Sequence, residues 1–120
     1  MDVPKIFESE YRFCTILWEH EPIKSSALAA LCGEKLGWKP TTAYTVMKRL
    51  AERGVIENRD TIVRSLVKRE EAEQAEIDEL VEKKFGGSLP AFVAAFAKNR
   101  RISDEEAAEL QKLIDGLRGR

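Results

Sequence analysis

Apolar residues recur along this chain at helical spacing, and glycine, proline or serine punctuates each run. Phe13, Ile16 and Leu17 place a first amphipathic helix over residues 9–20, which Pro22 stops. Ser25 or Ser26 can accept a hydrogen bond from a free amide and cap a second helix. Leu28, Leu31, Cys32 and Leu36 form that helix's buried stripe, with Gly37 as terminator. Pro40 suits the first position of a third helix, where its missing N–H costs nothing. There Ala43, Val46, Met47 and Leu50 fall at i, i+3, i+4 and i+7 and define one buried face. The opposite face carries Thr41, Thr42, Thr45, Lys48, Arg49 and Glu52, with Tyr44 near the boundary. Gly54 ends the helix, and two β-rich pieces follow, Val55-Ile56-Glu57 and residues 61–66, around a turn at Asn58-Arg59-Asp60. Three short helices followed by a hairpin is the element order of a winged helix-turn-helix.

The pattern changes after Lys68. Residues 70–84 predict a charged helix whose apolar positions are Ile77, Leu80 and Val81, continuing to Phe85. Gly86-Gly87 breaks it, and Ser88 caps a short helix with Leu89, Phe92, Val93, Phe96 and Ala97 on one face and Pro90 in its first turn. Ser103 with Glu106 three residues on makes a capping box, with Ile102 placed for a hydrophobic staple. Leu110, Leu113, Ile114 and Leu117 form the last stripe. So small a group of helices buries little by itself, and a second copy would cover the apolar faces. The alternative is that the three helices fold back on the N-terminal module. The dimer is favoured, because the apolar face of residues 89–97 lies far along the chain from the basic helix. The expected protein is mainly α, with a winged helix-turn-helix DNA-binding domain over residues 1–68, a small β-hairpin wing, and a helical dimerisation domain over residues 69–120. Leu80, Phe85, Leu89, Phe92, Val93, Phe96, Leu110, Leu113, Ile114 and Leu117 would form the dimer contact.

Charge sharpens this division. The net charge is −1 overall, but residues 1–68 carry +2, residues 69–120 carry −3, and residues 35–64 alone carry +4. A basic middle between acidic flanks suits a polyanion contact made by one element. No segment is apolar over a length that could span a bilayer, and the N-terminus lacks the basic stretch and apolar core of a secretory signal. Two cysteines, Cys14 and Cys32, make no disulfide framework, and reduced thiols in the cytoplasm are the reading they favour. With one histidine they also leave too few ligands for a zinc site. No metal or other cofactor is expected.

Catalysis finds little support. His20 stands alone beside Pro22, and Glu70, Glu71, Glu73 and Glu76 pattern as a solvated helix face. No glycine-rich phosphate loop, nucleophile elbow or His-Glu-x-x-His motif occurs, and Gly86-Gly87 follows no strand. Double-stranded DNA is the better partner. Thr41, Thr42 and Thr45 can meet phosphates, base edges or thymine methyl groups, while Lys48 and Arg49 reach phosphate or guanine. The free amides of the helix N-terminus favour a phosphate. Lys39 and Arg53 flank the helix, and Arg59 and Arg64 bring charge to the hairpin. Threonine is a mediocre helix former, so three of them on a solvated face would be an odd choice without a ligand.

Residues 6–18, then Gly37-Trp38-Lys39-Pro40-Thr41-Thr42 through Lys48-Arg49-Leu50 and Gly54, resemble the penicillinase repressor family. Its members show a first helix ending Leu-Trp and a Gly-Trp-x-Pro-x-Thr lead-in to a recognition helix ending Arg-Leu. Phe85-Gly86-Gly87-Ser88-Leu89 and Phe92-Val93-Ala94-Ala95-Phe96 are similar to the family's dimerisation segment. The resemblance implies a homodimeric repressor of an inverted-repeat operator. Thr41, Thr42, Thr45, Lys48 and Arg49 would match the recognition-helix contacts, with Trp38 and Pro40 setting the turn before them. It also implies inactivation by a protease or sensor pathway, the corresponding bond lying near Ala95-Phe96. The copper-responsive branch uses a cysteine-rich C-terminal tail, and no cysteine follows Cys32, so copper sensing by that route is excluded. The hairpin departs from the family pattern. It lacks the Gly-Arg turn and the Tyr-x-Tyr strand, having Asn58-Arg59-Asp60 and Ile62-Val63-Arg64 instead, which puts the wing's part in DNA contact in question. The competing reading is a winged-helix module that binds a protein partner without sequence-specific DNA binding. The short wing and net acidic charge favour it; the Thr-rich, Lys-Arg face opposes it.

Overall fold

Helix α1 (Glu8–His20) forms where the apolar spacing predicts and buries Phe13, Cys14, Ile16 and Leu17. Glu8 and Glu10 in its first turn complement the positive end of the helix dipole. The computed structural model describes residues 3–119, and the chain divides into two compact units between Asp78 and Glu79. In the first unit, strand β1 (Ile23–Lys24) precedes helix α2 (Ser25–Leu36). Neither Ser25 nor Ser26 caps α2, contrary to the sequence expectation: the N-cap is Lys24, without a side-chain cap. Strand pairing displaces the cap, because Ser25 is buried and its amide donates to the Thr61 carbonyl at 2.7 Å. Leu28, Ala29 and Cys32 are buried on α2, while Leu31 and Leu36 are half-buried.

Gly37 ends α2 in the left-handed region at φ 72°. Its amide donates to the Gly33 carbonyl at 3.1 Å, and that of Trp38 to Cys32 at 3.4 Å. Trp38 then stacks on Phe13, ring centroids 6.3 Å apart and planes 9° from parallel. This close turn explains a glycine at position 33, where a Cβ would stand 3.3 Å from the Trp38 carbonyl. Helix α3 (Pro40–Glu52) follows, with Pro40 in its first turn and Ala43, Val46, Met47 and Leu50 buried as predicted.

Strands β2 (Ile56–Arg59) and β3 (Ile62–Ser65) form the hairpin. The sheet order is β1-β3-β2, all antiparallel, with Arg59 opposite Ile62 and Glu57 opposite Arg64. The turn is therefore Asp60-Thr61, later than the predicted Asn58-Arg59-Asp60, and both residues have positive φ, 52° and 66°. A two-residue turn of this hand matches the right-handed twist of the strands it joins. Asn58 and Arg59 are drawn into the ladder instead.

The connection from β3 to helix α4 (Arg69–Phe85) is held at every residue. The amides of Leu66 and Val67 donate to the Val55 carbonyl at 2.8 and 3.1 Å, and that of Lys68 to the Glu71 carboxylate at 3.0 Å. The Trp18 indole N–H donates to the Val67 carbonyl at 3.0 Å, and the Arg69 guanidinium lies 5.6 Å over the Trp18 ring. Ala72 joins the core with Val55, Ile56, Val63 and Val67. Burial raises the Tyr11 pKa, helped by the charges of Glu76 and Glu73, as α1 packed beside the first half of α4 requires.

In the second unit, helices α5 (Leu89–Ala97) and α6 (Asp104–Arg118) follow the end of α4. Ser88 Oγ accepts from the Ala91 amide and Ser103 Oγ from that of Glu106, each at 3.1 Å, so both serines cap as the sequence predicts. Among the described residues the Glu106 carboxylate makes no return bond to complete the expected capping box. Gly86 and Gly87 take φ 57° and 80°, and the Gly87 amide closes the α4 terminus on the Val81 carbonyl at 3.0 Å. The protein is mainly α, a winged helix-turn-helix followed by a helical segment. Among the described residues no helix is long and apolar enough to cross a membrane.

Candidate nucleic-acid interface

Helix α3 has two chemically distinct sides. With successive residues about 100° apart, Thr41, Thr45, Lys48 and Glu52 lie opposite the four buried positions. Thr42 and Arg49 occupy one flank of that outer face, Tyr44 and Ala51 the other. Thr41, Thr42, Thr45, Lys48 and Arg49 are all exposed, as is Lys39 at the N-cap. Thr45 Oγ1 donates to the Thr41 carbonyl at 2.8 Å. Its proton is thus committed to the helix, and its lone pairs and methyl group are what it can offer a ligand.

The helix N-terminus offers fewer amides than the sequence suggests. Pro40 has none, and those of Thr42 and Ala43 both donate to the Lys39 carbonyl, at 3.0 and 3.2 Å. Among the described residues Thr41 alone in the first turn keeps an amide without a backbone acceptor. The positive charge at this helix end comes chiefly from the exposed Lys39 ammonium.

Arg59 and Arg64 are exposed on the hairpin, but an acid stands between them. Glu57 pairs with Arg59 at 3.3 Å and lies opposite Arg64 in the ladder. The wing's positive field is therefore tempered by its own carboxylate.

Arg53 is not a free flanking cation. Its Nη1 and Nη2 donate to Glu10 Oε2 and Oε1 at 2.8 and 2.7 Å, a bidentate pair, and Nη2 also donates to the Lys5 carbonyl. Its guanidinium lies 5.4 Å over the Phe7 ring. The Phe7 amide donates to Glu10 Oε1 at 3.0 Å. Hydrogen bonds from Arg53 hold the Glu10 carboxyl below its ordinary pKa against the opposing effect of burial, with further help from the Phe7 amide and the charges of Arg53 and Arg49. The same bonds raise the pKa of Arg53. Sequence reasoning missed this clamp because residues 10 and 53 share no periodicity; only the packing of α1 beside the end of α3 joins them.

Cys14 and Cys32 are free and buried, their thiols pushed up to about 12 and about 11 by burial, so neither is a thiolate nucleophile near neutral pH. The His20 ring Nδ1 lies 2.8 Å from the Ile16 carbonyl, one turn back on its own helix.

The second unit presents a different surface. Leu80, Leu89, Val93, Phe96, Leu110, Leu113, Ile114 and Leu117 are exposed, Leu113 by 65%, and none of the unit's described residues is buried. Phe85 and Phe92 are half-buried against each other, edge to face at 5.6 Å, and Phe92 leads on to Phe96 at 6.3 Å. Arg100 caps this aromatic row 4.3 Å above the Phe96 ring. Ala95 is likewise exposed on α5.

A helix-turn-helix with threonines and cations on the outer face of its second helix, completed by a three-stranded sheet, defines a winged-helix DNA-binding protein. Residues 6–116 match the penicillinase repressor family, and the chain belongs to it. It is similar to the penicillinase repressor of Bacillus licheniformis, 21% identical over 122 residues that cover 98% of this chain and 95% of that protein. The chain is thus a DNA-binding transcriptional repressor by family, and the family is not one of enzymes.

Proposed function

We propose that the protein works as a homodimer that represses transcription by seating two winged helices on an inverted-repeat operator. The observation that carries this reading is the outer face of α3, where Thr41, Thr45 and Lys48 stand exposed opposite a fully buried apolar face. Such a helix lies in the major groove with its first turns on base edges and its cations on phosphate. Thr42 and Arg49 on one flank and Lys39 at the start extend the contact along the backbone. Arg59 and Arg64 add weaker phosphate contacts, since Glu57 offsets part of their charge.

The homodimer is supported by the second unit, in which Leu80, Leu89, Val93, Phe96, Leu110, Leu113, Ile114 and Leu117 are exposed. Exposed leucine, isoleucine and phenylalanine in such density mark an interaction surface, and a symmetric pair of copies would bury it with its own complement. Cleavage within α5, near Ala95-Phe96, would remove half of that surface and so release the operator. A protease would act there on exposed residues of a helix with no buried side chain.

A fluorescence titration with an inverted-repeat duplex from the protein's own promoter region tests the reading. Saturable binding that survives competitor DNA is expected. Binding indifferent to sequence at every salt concentration would leave the scaffold as a protein-interaction module instead. Sedimentation should give twice the monomer mass, and truncation before Phe85 should weaken both dimerisation and operator affinity.

A further inference from the structure

Glu10 is a buried carboxylate that needs a cation, and α3 supplies two on the same flank. Its side chain is 8% exposed and is held by both nitrogens of Arg53. Arg49 lies one turn earlier, its carbonyl accepting the Arg53 amide at 3.2 Å. Arg49 is exposed and, among the described residues, its side chain makes no hydrogen bond or ion pair. It is near enough for its charge to act on Glu10, while Arg53 takes both carboxylate oxygens.

We propose that Arg53 is a positioning residue of the DNA-binding face: by satisfying Glu10 it leaves the Arg49 guanidinium free for the phosphate backbone. The proposal rests on the repressor reading above. A buried carboxylate stripped of its partner is strongly unfavourable, so it either takes a proton or recruits another cation. A helical turn is about 5.4 Å, within the reach of an arginine side chain, so Arg49 is the replacement. Once drawn back to Glu10, Arg49 no longer meets phosphate. Arg53 thus acts on DNA without touching it.

The salt dependence of operator affinity separates this from a purely structural role, because it counts phosphate contacts rather than stability. Arg53→Met keeps the aliphatic stem and removes the fork. It should lower the slope by about one per protomer, as Arg49→Ala does, and the double variant Arg49→Ala/Arg53→Met should lower it no further. Glu10→Gln/Arg53→Met, with no charge left to capture Arg49, should restore the wild-type slope. A wild-type slope in Arg53→Met would overturn the proposal, and so would losses that add, since Arg53 would then contact phosphate itself. An NMR titration of the Glu10 carboxyl without DNA gives a second test. The groups facing Glu10 are Arg53, Arg49, the Phe7 amide and Cys14. In Arg53→Met its midpoint should stay below the ordinary glutamate range and rise only when Arg49 is also removed. A rise in Arg53→Met alone means that Arg49 does not move, and the proposal fails while operator binding stands. If wild type and Arg49→Ala are alike in binding no operator specifically, the repressor reading falls and takes this role of Arg53 with it.

Discussion

Glu21 ties the end of α1 to the last residue of the wing, and replacing it with alanine measures that tie. Its carboxylate accepts the Ser65 amide at 2.7 Å through Oε1 and lies 2.7 Å from the Ser65 hydroxyl through Oε2. Lys68 Nζ stands 3.7 Å away and donates to the Ser65 carbonyl at 2.8 Å. Ser65 is 3% exposed, so both of its donors lose their acceptor in Glu21→Ala. A hydrogen bond to a charged acceptor is worth about 1.5–3 kcal/mol. The hydroxyl can rotate toward another acceptor and the amide cannot. The Glu21 side chain is 19% exposed, which lets water reach part of the vacated space. The half-exposed Lys68 adds little. The expected loss is therefore about 2–3 kcal/mol, below the sum of two such bonds. For a unit of this size that lowers Tm by roughly 8–24 °C. Urea unfolding followed by the fluorescence of Trp18 and Trp38 would show a lower midpoint at unchanged m-value. Glu21→Gln keeps an acceptor for the amide and should cost only about 1 kcal/mol. Stability of Glu21→Ala within about 0.5 kcal/mol of wild type, or equal damage from both variants, would refute the assignment of this energy to the lost acceptor.

Thr61 is a β-branched residue at φ 66°, so Thr61→Gly should stabilise the hairpin by about 1 kcal/mol in the same urea experiment. Glu10 has a folded pKa below its unfolded value, so its contribution is complete above the ordinary glutamate pKa of about 4.3 and is lost as pH falls through the lower folded value. Acid unfolding of Glu10→Gln should accordingly show a shallower fall in stability below about pH 4; an unchanged acid limb would contradict the pairing. Lys48→Ala should weaken operator binding most at low salt and reduce the salt slope by about one per protomer, whatever the sequence of the duplex. Leu113→Glu should shift sedimentation to the monomer mass while leaving the unfolding of the first unit unchanged, as a charge on an interface of two copies requires.

Local chemistry accounts for what the sequence alone reveals. Ala43, Val46, Met47 and Leu50 announce α3 and its buried face because helical periodicity is a property of neighbours within two turns. Pro40, Gly37, Ser88 and Ser103 mark helix ends for the same reason: a cap or a left-handed residue acts on amides and carbonyls a few positions away. The outer face of α3 follows directly, since what is not buried on an amphipathic helix must face outward. The family resemblance is carried by these local motifs too.

The tertiary structure decides what depends on residues far apart in the chain. Strand β1 is two residues long, too short to show a period in the sequence; it exists because β3 offers it a ladder. That pairing gives the Ser25 amide to Thr61 and removes the serine cap. The hairpin turn at Asp60-Thr61 lacks glycine, so strand register sets it rather than turn composition. Arg53 reads as one more cation beside a recognition helix until α1 brings Glu10 to it, whereas Arg49, one turn away, stays open to solvent. Spacing alone puts Arg49 and Arg53 on one flank of α3; the buried carboxylate decides which of them is taken, because a buried ion pair forms only where the fold brings both partners together.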